Sequence, residues 1–239
     1  MKLDTEAHLN AVTRSVKPSE YNGGPARTVT LERPFDTPAQ DLWGAVTNPE
    51  RLARWFTPVS GDLRQGGHYK LEGNAGGTIT DCDPPRFLAV TWEFGNGVSQ
   101  VEVTITPGAS DTASLKLSHV CPFDEFWQQF GPGAPGVGWD LGMLGLAIHL
   151  SDDAPDRLDE EAFAASPEGP AFINGSSEAW AVPPSTPAKT RRRRTPRPHA
   201  RPRSIRAPAT KPQADSSAAI PEPASLLSPR CLVLDTGRR

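Results

Sequence analysis

The sequence predicts an α+β domain: one strand and two short helices, then an antiparallel meander that encloses an apolar helix. Three observations carry this. Apolar residues alternate at period two in ARTVTLERPF (26–35) and through four or five runs between residues 66 and 120. Helical spacing is concentrated in AQDLWGAVTNPERLARWF (39–56) and GVGWDLGMLGLAIHL (136–150). The second of these is apolar over most of its girth, so something must cover it, and a curved meander is the available cover.

Taken in order, residues 1–25 are polar and read as a flexible, loosely docked leader, with a short helix around Thr5–Arg14 and a turn at YNGGP. In the strand that follows, Val29, Leu31 and Phe35 oppose Thr28, Thr30 and Glu32. Asp36-Thr37-Pro38 is an N-cap signal with proline in the first turn. Leu42, Trp43 and Val46, then Leu52, Trp55 and Phe56, recur at helical spacing, and Asn48-Pro49 divides them into two helices. In GDLRQGGHYKLEG, Tyr69 and Leu71 share a face opposite His68 and Lys70. TITDCDPP ends at its prolines. RFLAVTWEFG sets Leu88, Val90, Trp92 and Phe94 on one face, and Asn96-Gly97 signals a hairpin. Val101, Val103 and Ile105, then Leu115, Leu117 and His119, complete the meander. In the apolar helix Trp139, Met143, Leu146, His149 and Leu150 form a stripe that Leu141, Leu144 and Ala147 widen. Its glycines, each costing about 1 kcal/mol against alanine, permit close approach or leave space for a guest.

Charge divides the chain. From Ala181 onward there are 13 Lys+Arg against 3 Asp+Glu, leaving 12 against 25 upstream. An acidic globule is followed by a basic tail, and the overall net charge of -3 averages unlike parts. The three cysteines, Cys82, Cys121 and Cys231, form no CxxC pair, so neither a disulfide framework nor a zinc site is suggested. The first residues lack the apolar segment of a secretory signal, and the longest apolar stretch is broken by Asp140 and too short to span a bilayer. A cytoplasmic, reducing location is the expectation.

Four segments sharpen the fold: PERLARWFTP (49–58), GGHYKLEG (66–73), DPPRFLAVTWEF (83–94) and FGPGAPGVGWDLGMLGLAIHL (130–150). In this order and at these distances they resemble the SRPBCC (START-like) superfamily, in its bacterial branch labelled homologues of the activator of a heat-shock chaperone ATPase. The resemblance runs from about Ala26 to Trp180. It implies the helix-grip fold, a curved antiparallel sheet wrapped around a long C-terminal helix. It also implies a cavity between the two for an apolar small molecule, or a co-chaperone role toward a partner protein. It carries over no catalytic signature, cofactor or metal.

Within that expectation, Trp92, Phe94, Leu117, Trp139 and Met143 are the predicted apolar lining, and His119 and Tyr69 the predicted polar contributors. His68, His119 and His149 are the candidate acids and bases of a cyclase- or hydrolase-like alternative, set against ordinary hydrogen-bonded core or rim histidines. His119 and Cys121, two apart on a strand, share a face and permit a dyad, against which stands a small buried thiol. Asp81 and Asp83 read as turn chemistry. The loop 121–136 carries Phe123, Phe126, Trp127 and Phe130, which pack into the core, cover a cavity mouth or meet a partner.

The tail 181–239 is read as disordered. Its charge would give salt-dependent affinity for nucleic acid, but no aromatic is interleaved for stacking and its prolines exclude a recognition helix. Nucleic-acid binding is therefore disfavoured. The favoured reading is a shifted reading frame. CGG-type codons for Arg191–Arg194 read as alanines two bases out of frame, and Arg203–Ala207 then reads Phe-Tyr-Thr-Gly, which resembles the usual ending of this branch. The frame of the coding DNA after Trp180 tests this.

Overall fold

The computed structural model describes residues 4–151 and 159–181. Its frame is an eight-stranded, wholly antiparallel sheet made of β1 (Thr13–Tyr21), β2 (Gly24–Phe35), β3 (Val59–Gly61), β4 (His68–Leu71), β5 (Gly76–Asp83), β6 (Phe87–Phe94), β7 (Gly97–Pro107) and β8 (Ala113–Pro122). The strand order is β1-β2-β8-β7-β6-β5-β4-β3, and the sheet curves without closing. Side chains alternate as the sequence pattern requires, and the inward ones meet in rungs across strands. One rung is Val29–His119–Val101–Val90–Ile79, and the next is Leu31–Leu117–Val103–Leu88. The outward partners on the same strands are Thr28, Thr30, Glu32, Gln100, Glu102, Thr104 and Lys116.

The helices are α1 (Thr5–Asn10), α2 (Ala39–Thr47), α3 (Pro49–Trp55), α4 (Glu125–Phe130), α5 (Gly133–His149), α6 (Glu160–Ala165) and α7 (Glu168–Trp180). The Asn48-Pro49 signal acts as read: the Asn48 side chain accepts from the Glu50 and Arg51 N–H groups, and Pro49 opens α3. Trp139, Met143 and Leu146 of α5 join the apolar cluster of the concave sheet face. Leu144 and Ile148, on the opposite side, pack with Phe172, Leu9 and Phe163 from α7, α1 and α6. The all-round apolar character of α5 thus has two covers, the sheet in front and α7 with its neighbours behind. Its glycines serve contact. A Cβ at Gly136 would fall inside the Trp180 indole, and one at Gly145 would lie 2.9 Å from the Trp55 carbonyl oxygen.

Three expectations need correction. The leader is largely structured: residues 13–21 pair with β2 along their whole length as an edge strand. Period two is obscured there because the inward position opposite Leu31 is held by a charged residue, Arg14, and no residue of the strand is fully buried. The presumed loop 121–136 contains α4, capped by the Asp124 side chain accepting from the Trp127 N–H, and the first turn of α5. Phe94 does keep the alternation of β6, but it sits in the terminal hairpin pair with Gly97 and is 59% exposed. The Arg/Pro-rich tail beyond Ala181, and with it the frame-shift reading, lies outside the described residues.

Candidate functional site

The concave face and α5 bring five of the predicted residues into one buried cluster: Tyr69, Trp92, Leu117, Trp139 and Met143. His119 lies among them, 7% exposed. Trp92 and Trp139 pack with ring centroids 5.3 Å apart, and the His119 ring meets Trp139 edge-on at 5.7 Å. The hydrogen bonds around His119 fix its state. The Trp139 indole can only donate, and its Nε1 lies 3.0 Å from His119 Nδ1, so Nδ1 is the acceptor. The ring proton therefore sits on Nε2, which donates to Ser99 Oγ at 2.8 Å. Ser99 in turn donates to the Trp92 carbonyl at 3.2 Å. The chain Trp139–His119–Ser99–Trp92 is closed and neutral. Burial pushes the His119 pKa from 6.5 down to about 4, and a proton on Nδ1 would face the indole N–H. Both ring nitrogens are occupied, so this histidine holds the interior together and offers no free base.

Tyr69, the other expected polar contributor, donates its hydroxyl to the Thr91 carbonyl at 2.7 Å. Cys121 does not meet the His119 ring; its thiol lies 3.9 Å from the His119 carbonyl oxygen, and burial pushes its pKa up to about 12. That arrangement is opposite to an activated nucleophile. His149 stands at the α3–α5 boundary, accepting from Arg51 Nε at 3.3 Å, and burial and the neighbouring Arg51 and Arg54 hold its pKa below the usual value. His68 is on the outer face of β4, 3.1 Å from Thr78 Oγ1. Among the described residues no group of three or more metal-ligating side chains assembles, and no helix is long and apolar enough to cross a membrane.

The residue that sequence reasoning missed is Asp140. It is buried, yet it receives Arg14 through Nε at 3.1 and 3.0 Å and Nη2 at 2.8 Å, Ser176 Oγ at 2.6 Å and Trp180 Nε1 at 2.8 Å. One carboxylate ties β1, α5 and α7 together. The signal was available: a lone acid inside an apolar helix demands donors from elsewhere. A second feature lies at one end of the sheet, where the β6–β7 turn and the β8–α4 junction meet. It carries Phe94, Val98, Phe123, Phe126 and Phe130, all at least 36% exposed, with Phe126 and Phe130 stacked at 4.8 Å and Arg27 over Phe123 at 4.3 Å.

Residues 36–133 match the family described as Activator of Hsp90 ATPase homolog 1-like protein. The solution structure of CalU16 from Micromonospora echinospora is 32% identical, with a TM-score of 0.62 over 72% of this chain and 93% of that one. Its crystal structure gives 30% identity and a TM-score of 0.58 over 72% and 96%. A conserved protein of unknown function from Enterococcus faecalis shares the fold at 18% identity, with a TM-score of 0.50 over 73% and 93%. No curated protein matches the sequence. The chain belongs to the Activator of Hsp90 ATPase homolog 1-like family, in the SRPBCC superfamily, and has its helix-grip fold.

Proposed function

We propose that the protein binds an apolar small molecule between α5 and the concave face of the sheet. The observation that carries this is the character of that interior. Tyr69, Trp92, Leu117, Trp139 and Met143 turn apolar surface toward one another, while the polar atoms of His119, Ser99 and Tyr69 are engaged within the protein. Such a surface recognises by shape and apolar area. Native mass spectrometry of the protein from its own host, with saturable binding of the neutral probe N-phenyl-1-naphthylamine, is the test. A co-purified apolar mass or a displaceable probe is expected. Absence of both overturns the reading.

A second reading, assistance to a partner protein, is favoured by the exposed phenylalanines. Phe126 and Phe130, stacked and exposed at one end of the sheet where Phe94 and Phe123 are exposed too, present the kind of apolar surface that marks an interaction site. The name of the family suggests a chaperone ATPase as the partner to try first. Stimulation of such an ATPase, lost in the Phe126→Ser/Phe130→Ser double variant, is the expected result. An ATPase rate unmoved by the wild-type chain removes this reading and leaves the first standing.

A further inference from the structure

Three helices meet at one guanidinium. Arg51 of α3 donates through Nη1 to the Asp41 carboxylate of α2 at 2.8 Å and to the Asp41 carbonyl at 3.1 Å. Thr37 Oγ1 donates to the other carboxylate oxygen at 2.9 Å. The guanidinium lies against Gly44, where a Cβ would come within 3.3 Å of Nη1. From its other edge, Nε donates to His149 Nε2 in the last turn of α5 at 3.3 Å. That bond needs a lone pair on Nε2, so it exists only while the imidazole is neutral. The backbones are close beside it. One turn before His149, a Cβ at Gly145 would lie 2.9 Å from the Trp55 carbonyl oxygen, and Trp55 Nε1 donates to the Ala45 carbonyl at 3.0 Å. The α3–α5 seam thus joins tight packing to a hydrogen bond whose acceptor titrates near neutral pH. The charges facing His149 are unequal. Arg51 and Arg54 of α3 oppose a proton on the ring, as burial does, and Asp41 of α2 favours one, so the pKa lies below the usual histidine value. Asp152 and Asp153, which follow in the chain, lie outside the described residues.

We propose that His149 is a pH-sensitive clasp: protonation of its Nε2 breaks the bond from Arg51 and frees the last turn of α5 from α3. The two states are discrete. With the ring neutral, Arg51 spans Asp41 and His149. With the ring charged, two cations compete for the Asp41 carboxylate, and the seam exchanges a hydrogen bond for a repulsion. The sign follows from linkage. A freed imidazole takes its proton near pH 6.5 and the clasped one only at lower pH. The clasp is therefore complete above pH 6.5 and is lost as pH falls through the clasped value. It depends on neither reading above, since the seam holds no guest and no partner.

The test is amide hydrogen exchange of the full chain in low urea, in the wild type and in His149→Gln, whose amide oxygen still accepts from Arg51 and does not titrate. Each amide's protection is taken relative to its intrinsic rate at that pH. In residues 52–56 and 145–149 exchange is expected to be insensitive to low urea, the mark of local opening. Between pH 7.5 and 5.0 their protection should fall about tenfold further in the wild type than in His149→Gln. Equal falls in the two proteins overturn the clasp, as does exchange that answers to urea like that of the core strands, which would mean that α3 and α5 part only on global unfolding. A second variant checks the charge balance. Asp41→Asn removes the carboxylate that favours the charged ring, so the midpoint of the wild-type change, and of the His149 ring in an NMR titration, is expected to move to lower pH. A midpoint that stays or rises overturns the proposal, and so does one that answers to Asp152→Asn/Asp153→Asn instead.

Discussion

Trp139 and Asp140 are neighbours in sequence and point about 100° apart around α5, one toward the middle of the sheet and the other toward β1 and α7. In front, toward the sheet, Trp139 meets a neutral imidazole, and the polar chain ends on a backbone carbonyl. Behind, Asp140 carries a full charge and needs an arginine, a hydroxyl and an indole to hold it. Both sides are closed to water, but their accounts differ. The hydrogen-bonded chain around Trp139 is neutral throughout, which suits its surroundings to apolar contact. The back uses charge as a rivet, and its strength depends on every partner being present.

The most severe way to break this comparison is to remove the rivet. Asp140→Ala leaves Arg14 buried without its counter-ion, and about 3–5 kcal/mol of unfolding free energy should be lost in urea titration. A loss under 1 kcal/mol would mean that α7 is held by packing alone. Acid is the next probe, and it acts on the front. The unfolded chain protonates His119 near pH 6.5, while the native ring resists until about pH 4. The contribution is therefore full above pH 6.5 and falls as pH drops through that window, by roughly 3 kcal/mol in all. His119→Gln should flatten this slope in urea midpoints measured from pH 7.5 to 4.5; an unchanged slope would assign the acid sensitivity to other groups.

Trp139→Phe sharpens the front further. It strips the donor from His119 Nδ1 and should cost about 1–3 kcal/mol. It should also raise the histidine pKa, since the clash with the indole N–H disappears, and an NMR titration of the ring would record it. The smallest effect is expected at the surface. Phe126→Ser/Phe130→Ser should move stability by under about 0.5 kcal/mol, because the rings are already wet. A large loss would show that the patch belongs to the core. Cys121 should resist iodoacetamide at pH 8 in the native protein, its thiol being shifted to about 12.

Much of the frame was legible in the chain. Tyr69 and Leu71 against His68 and Lys70, or Leu115 and Leu117 against Lys116, declare their faces because a strand has a period of two and water enforces it. Asn48-Pro49 declared a boundary because its chemistry is local. The site was less legible. Trp139 and His119 are twenty residues apart, one read as apolar lining and the other as a polar contributor; the hydrogen bond that joins them and fixes the imidazole as neutral exists only after α5 is laid on β8. Phe94 shows the converse: its alternation is correct, yet exposure depends on where the sheet ends, which no local pattern encodes.

By itself, then, the sequence determined the strands of the meander, the helix pair after β2 and an apolar α5 that had to be covered, since propensity and hydrophobic period are properties of neighbours along the chain. The tertiary structure alone decided that α5 has two covers, that residues 13–21 form the sheet's edge strand, and that Arg14 owns the Asp140 carboxylate. Those outcomes depend on partners distant in sequence, as Arg14 and Asp140 are, and a charge finds its counter-charge in space.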